Sequence, residues 1–396
     1  MDMKTDIINY LNQFDLDVRK TKDARFSDQK CTPDVICFIA DCIRNTVTGT
    51  NEFNTNTIWE SQYFIKNTRA IFNKPWPNDI RAKSEYDKFI AQPLRLLAYA
   101  HILEFVKDGG RNVYRVRNEY LLDYISQRER NTFTFLSCYF EKILKDSNLW
   151  RYFVEYKDNP TKEAYLTLRD RFIRFMIGNT AINTDVEVRR IFPKILNVFA
   201  VENQIPGSER GTISKYVYTF SDLMYNRKNW RDLNKDKSIT RQEAVEDNED
   251  IKQQEAYNAY YVQKAIALIR KIQKESEVYD QWGHGEATQV HHIFPKSQYP
   301  QIAHYLENLI LLTATQHYTK AHPNNKTQEV NKDYQLTCLL AKADTIDNSL
   351  KKFGERYYRK ESFLYVIKVG LNQGQEWSMT MSFSDIKHQL ILAYNS

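Results

Sequence analysis

The sequence predicts a mainly α-helical protein with small β elements, and three observations carry that prediction. Apolar residues recur at three- and four-residue spacing from the N-terminal region to the acidic run at 243–250, the pattern of helices that each bury one face. Alternating stretches are few and short, one pair about Gly109-Gly110 and another between Thr288 and Thr313. Proline and glycine stand mainly where the helical periodicity breaks. At 396 residues the chain is also longer than one hydrophobic core usually serves, so several domains are expected.

The first expected domain, 1–118, begins with Thr32-Pro33-Asp34. A capping residue, proline at the first helical position and an acidic first turn predict a helix through Val35–Ile43. A second helix is predicted from about Ile58 to Phe72, stopped by Asn73-Lys74-Pro75-Trp76-Pro77. A third runs from about Ser84 to Ala100, with Pro93 expected to kink or split it. His101–Val106 and Asn112–Arg117 then flank Lys107-Asp108-Gly109-Gly110-Arg111, whose glycines suit a hairpin turn. Helices followed by a basic-tipped hairpin describe a winged helix, which seats one helix in a major groove, and equally a helical bundle with a β-tongue.

Residues 119–250 read as a helical middle domain. Thr161 caps a run in which Ala164, Leu168, Phe172, Phe175 and Met176 share a face that ends at Gly178. Further on, Arg210, Lys215, Arg227, Lys228, Arg231, Lys235 and Lys237 interleave with Tyr225 and Trp230. Arg227, Lys228 and Arg231 are the residues expected to meet nucleic-acid phosphates there; a solvated basic helix face has the same pattern. The acidic run 243–250 marks a boundary, followed by a long helix from Ile251 to about Glu275. The third domain is expected at 251–345 and a helical extension at 346–396, with helices at Cys338–Phe353, Phe363–Gly370 and Phe383–Tyr394. The sequence shows no internal repeat.

Bulk properties exclude some classes. No stretch approaches the roughly 18 uncharged apolar residues of a membrane span. The first residues lack the basic and apolar regions of a secretory leader, so a cytoplasmic protein is expected. Five cysteines without a CxxC pair argue against a disulfide scaffold and a thiolate zinc knuckle, leaving reduced, buried thiols. A net charge of +6 does not by itself separate a nucleic-acid binder from another enzyme. The 26 tyrosines and 21 phenylalanines fall mostly at helical spacing and are read as core.

Chemistry concentrates in Gln289–Pro323, QVHHIFPKSQYPQIAHYLENLILLTATQHYTKAHP. Thr288–Phe294 reads as a strand, Pro295–Glu307 as a loop, Asn308–Thr313 as a second strand and Ala314–Ala321 as a helix. That order is the layout of a ββα-metal unit. Histidines suit proton transfer at neutral pH, and hydrolysis of a phosphodiester needs a base and a Lewis acid. Neighbours on a strand face opposite ways, so His291 and His292 cannot do the same work.

The stretch resembles the HNH endonucleases, whose pattern runs from a His-His or Asp-His pair through Ile-x-Pro and Asn-Leu-x-x-Leu to a helix histidine. His291-His292-Ile293-x-Pro295, Asn308-Leu309-Ile310-Leu311-Leu312 and His317 match those parts in order. By position, the resemblance implies His291 and His317 as metal ligands and His292 as general base. Asn308 either binds the metal or pins the loop. Lys296 and Lys320 are placed to meet DNA phosphates, or are solubilising surface charges. Some members carry a second helix histidine four residues after the first, where this chain has Ala321, with His322 one further on. In an α-helix five residues rotate a side chain by about 140°, so His322 is a doubtful ligand unless the helix ends or bends before Pro323. Two imidazoles and an amide oxygen would suit one Mg²⁺, or Mn²⁺, better than a permanent zinc. His284 is read as a turn residue and His304 as exposed loop.

A finer likeness, in YTFSDLMYNRKNWRDLNKDKSITRQEA and NLILLTATQHYTKAHP, is to HNH type II restriction enzymes. It implies site-specific cleavage of double-stranded DNA to 5′-phosphate and 3′-hydroxyl ends, a homodimer on a twofold site and a cognate DNA methyltransferase beside it. The alternatives are a homing or phage-type nicking endonuclease, and a non-catalytic winged-helix regulator.

Overall fold

Every residue from Pro33 to Ile43 is buried, and around this apolar run the first half of the chain is built. The computed structural model describes residues 2–49, 51–72, 77, 83–225, 248–322, 331–372 and 377–395. It is mainly helical, with three two-stranded antiparallel sheets among the described residues. They fall into two compact units, one spanning Lys4–Ile251 and the other Lys252 onward together with the residues up to Met3. No helix among them is long and apolar enough to cross a membrane.

The first unit opens with α1 (Met3–Leu11) and α2 (Val18–Thr21), then α3 (Pro33–Thr46). Thr32 stands at the N-cap of α3 but does not cap it. Its hydroxyl donates to Asp34 at 2.7 Å, and the Asp34 carboxylate takes the N–H groups of Val35 and Tyr225 instead. The helix expected at 58–72 is two helices, α4 (Thr55–Trp59) and α5 (Gln62–Phe72). Asn54 caps the first through the N–H groups of Asn56 and Thr57, and the Ser61 hydroxyl accepts from Phe64 N at 3.2 Å, starting a new helix where apolar spacing alone shows no break. α6 (Lys83–Tyr99) runs on through Pro93 without splitting.

Strands β1 (Leu103–Asp108) and β2 (Arg111–Val116) form the expected hairpin. Gly109 and Gly110 turn it with φ of 52° and 84°, the mirror-image geometry that matches strand twist and that side-chain-bearing residues adopt at a cost. Phe53 also pairs with Tyr114, adding an extended residue from between α3 and α4. Helices α7 (Glu119–Gln127), α8 (Glu129–Asp146), α9 (Trp150–Asp158), α10 (Lys162–Asn179) and α11 (Asp185–Asn203) follow. Thr161 caps α10 as expected, accepting from Ala164 N, and the helix passes Gly178 by one residue.

A second hairpin, β3 (Pro206–Glu209) with β4 (Thr212–Val217), is not anticipated from the sequence. A register shift between Pro206 and Ser208 breaks the alternation that would have announced it. Arg227, Lys228 and Arg231, with Lys235 and Lys237, lie outside the described residues. Tyr225, read as interleaved with those cations, is instead an anchor: its ring packs on Phe72 and Phe89 and its hydroxyl bonds Lys30.

The second unit contains α12 (Asn248–Ile272), β5 (Ala287–His292), β6 (Leu309–Thr313), α13 (Lys332–Phe353), α14 (Lys360–Leu371) and α15 (Phe383–Asn395). Its core joins Ile293, Phe294 and Leu309–Leu312 to Cys338, Leu339, Phe363, Ile367, Ile386 and Leu390, so the C-terminal helices bury the strands directly. Gly370 of α14 lies so close to the Phe294 ring that an added Cβ would stand 2.4 Å from it. All five cysteines are buried and free, as their spacing predicts.

Candidate metal and catalytic site

β5 and β6 pair antiparallel with His291 opposite Ile310 and His292 opposite Leu309. Every residue of β6 is buried, so this strand is the floor of the site. It is held by buried polar anchors. Glu277 N donates to Leu311 O at 3.0 Å, its carboxylate accepts from Leu311 N at 2.8 Å, and its other carboxylate oxygen meets Lys342 Nζ at 2.7 Å. Asn308 is fully buried and spends its side chain on the loop. Its Oδ1 accepts from Phe294 N at 2.8 Å, and its Nδ2 donates to Phe294 O and Ile302 O. Of the two roles open for Asn308, the structure shows the pin; as a metal ligand it is corrected, because both ends of its amide are committed to backbone.

Gln316 was not singled out from the sequence, yet it fixes the last part of the site. Its Oε1 accepts from Ser276 Oγ and Thr313 N, and its Nε2 donates to Val278 O and Asp280 Oδ1. From there Gln316–Ala321 winds as a π-turn rather than an α-helix. The His322 N–H reaches back to His317 O at 3.1 Å, a bond from residue i+5 to residue i. A turn of that width puts the fifth residue over the first. The expectation that His322 points away from His317 is therefore corrected, because it rested on α-helical rotation.

The result is a cluster of three imidazoles. One nitrogen from each of His291, His317 and His322 lies within 4.8 Å of the others, and ring centroids are 5.3 Å apart for His291–His317, 4.8 Å for His291–His322 and 4.9 Å for His317–His322. His291 and His322 are buried and His317 half-buried. His317 Nδ1 is buried without a hydrogen-bond partner, the condition of an atom kept for another ligand. Burial, then the neighbouring His322 and His317, holds the His291 pKa well below the ordinary imidazole range. Burial and His322 lower that of His317 to about 4. Three imidazoles facing one another are a metal-binding donor set.

His292 points elsewhere, as strand alternation requires. Its Nε2 lies 3.1 Å from Ala303 O, and since a carbonyl only accepts, Nε2 carries the proton and Nδ1 keeps its lone pair. Burial lowers its pKa to about 4, with the Ala303 bond opposing and the Lys296 charge assisting. The ring is thus neutral over the physiological range, with the Nδ1 lone pair available.

Lys296 is exposed in the loop after β5. Lys320 lies over the Trp282 ring, Nζ 4.2 Å from its centroid, with the indole partly exposed. His284 is exposed, as read from its glycine-flanked turn. His304 is not the exposed loop residue expected: it is half-buried against Tyr257, Tyr261 and Tyr305. Of the residues singled out, the structure brings together His291, His317 and His322, with His292 beside them in sequence. Comparison with protein-family models, curated proteins and solved structures gives no match for this chain.

Proposed function

We propose that this chain is a metal-dependent DNA endonuclease of the HNH type, cutting phosphodiesters with His292 as general base. The observation that carries the reading is the three-imidazole cluster next to a histidine whose Nδ1 is free and whose Nε2 is fixed. A purely structural metal finger has no use for an oriented base beside its ligands.

His291, His317 and His322 would hold the ion, whose positive charge, when bound, stabilises the charge that builds on the phosphate and the leaving oxygen. Three imidazole nitrogens favour a borderline ion such as Zn²⁺. Mg²⁺, expected from two imidazoles and an amide, prefers oxygen ligands that this trio does not offer. His292 Nδ1 takes a proton from the attacking water while the Ala303 carbonyl keeps the ring from turning. Asn308 supports that carbonyl's loop by binding Phe294 and Ile302. Lys296, exposed after β5, and Lys320, over the Trp282 ring, would meet DNA phosphates.

The restriction-type reading extends this to site-specific cutting of both strands by a homodimer, with 5′-phosphate and 3′-hydroxyl products and a partner methyltransferase. The order of α3, the Phe53 bridge, α4 to α6 and the β1–β2 hairpin supports a winged-helix reader for the specificity.

The test is incubation of wild type and His292→Ala with plasmid and phage DNA, in Zn²⁺, Mn²⁺, Mg²⁺ and EDTA. Discrete fragments that need metal and vanish in the variant are expected. DNA left intact by wild type under every metal, on methylated and unmethylated substrates alike, sinks the catalytic reading.

A further inference from the structure

We propose that the first unit carries two duplex-reading modules in tandem, the second being α9 to α11 with the β3–β4 hairpin. This rests on the nuclease reading, which supplies duplex DNA as the ligand.

The likeness lies in backbone wiring. α6 and α11 each run through an internal proline, Pro93 and Pro193. Each gives way to a left-handed residue, His101 with φ 57° and Gln204 with φ 55°. An isoleucine follows in each case, and its N–H turns back five residues: Ile102 N to Leu97 O at 2.9 Å, Ile205 N to Ala200 O at 3.0 Å. The same isoleucine's carbonyl then closes the mouth of the hairpin, accepting from Arg117 N at 3.0 Å in one copy and from Tyr218 N at 3.1 Å in the other. Both hairpins turn on two successive left-handed residues, Gly109-Gly110 and Arg210-Gly211, the latter with φ of 48° and 81°. Both exit through a helix-capping residue, Asn118 before α7 and Thr219 before the short helix Phe220–Leu223. A generic helix-to-hairpin link requires none of these details to recur in the same order.

The exposed surfaces also correspond. α6 shows solvent Lys83, Ser84, Asp87 and Lys88 near its start, and α11 shows Asp185, Val186, Glu187, Arg189 and Arg190, while both are largely buried beyond that. The hairpins carry exposed cations, Lys107 and Arg111 at the tip of the first, Arg210 at the tip of the second and Lys215 along its strand β4. Arg210 holds a left-handed backbone that glycine would adopt without strain, so the cation is kept at a conformational cost. Single valines are exposed among them, Val106 and Val217 on the hairpins and Val186 on α11, but the rest of these surfaces is mostly polar or charged, unlike the apolar centre of a protein interface. A helix exposed only at its start, followed by a cationic hairpin, suits entry into a major groove with the hairpin on the adjoining backbone.

The test uses full-length protein carrying His292→Ala, to prevent cleavage, and a pool of short duplexes of randomised sequence titrated at several salt concentrations. Lys107→Ala with Arg111→Ala removes the cations of the first hairpin; Arg210→Gly with Lys215→Ala removes those of the second, and glycine at 210 suits the turn, so folding is preserved. Each pair is expected to weaken binding roughly tenfold at low salt and to flatten the salt dependence by about one phosphate contact per cation lost, with Arg210→Lys retaining most of the affinity. Second-hairpin variants that bind like the parent, while the first-hairpin pair weakens binding, overturn the tandem proposal and leave the nuclease reading standing. A parent protein that binds no duplex overturns both.

Discussion

The His322 amide donates to the His317 carbonyl at 3.1 Å, and through that one bond a residue five positions along the chain returns to the face it would have left in an α-helix. His322→Ala is therefore expected to lower affinity for Zn²⁺ or Co²⁺ by about tenfold or more, with the fold retained. Competition titration against a chromogenic chelator reads this. Unchanged affinity would remove His322 from the metal's ligands.

His292→Ala addresses the base separately. It is expected to bind metal as wild type does and to cut about 10²- to 10⁴-fold more slowly, the usual contribution of a positioned general base. Single-turnover cleavage beside a metal titration separates the two effects. Loss of metal along with activity would mean that His292 acts on the ion's site.

Acid is expected to destabilise the metal-free protein. The pKa values of His292 and His317 fall to about 4 in the fold, below the roughly 6.5 of an unfolded chain. Between those values the unfolded state binds more protons, so the stability these rings contribute is present above about pH 6.5 and is lost as pH falls toward 4. Urea midpoints without metal should drop across that window. A flat profile would show the imidazoles to be solvated.

Lys342 and Glu277 form a fully buried ion pair beneath β6. Removing one partner, as in Lys342→Met, leaves a charge buried alone and is expected to cost about 3–5 kcal/mol. Replacing both by apolar residues of similar volume should restore much of that loss. Denaturant melts of the single and double variants measure the difference, and a single variant within about 1 kcal/mol of wild type would show the pair to be hydrated.

Gly370→Ala places a methyl group against the Phe294 ring. Overpacking of this kind costs about 1–3 kcal/mol, and because Phe294 closes the segment that begins at His292, cleavage should weaken as well. Gly370→Ala with Phe294→Leu tests the cause: recovery of thermal stability is expected, and no recovery would place the strain elsewhere.

Local signals made α3 legible, through Pro33 at its first position and its apolar spacing, and made the first hairpin legible through Gly109-Gly110. The break between α4 and α5 was not, because Ser61 starts a helix inside unbroken apolar spacing. The second hairpin was hidden by its bulge. Within the site, His291, His292 and His317 stood out as residue types suited to the chemistry. Glu277, Gln316 and Lys342 did not, because a buried polar anchor is recognisable only by partners that lie far away in sequence. His322 is not legible as a ligand because α-helical rotation carries it off the His317 face, and nothing local in the sequence announces the π-turn that returns it.

That last case bears on how such centres are compared. A π-turn accommodates one residue more than an α-turn while returning the chain to the same face, so two proteins could present the same trio of imidazoles with different numbers of residues between the final pair. Alignment by spacing would part them, and a single deletion between Tyr318 and Ala321 offers a route by which one arrangement converts into the other.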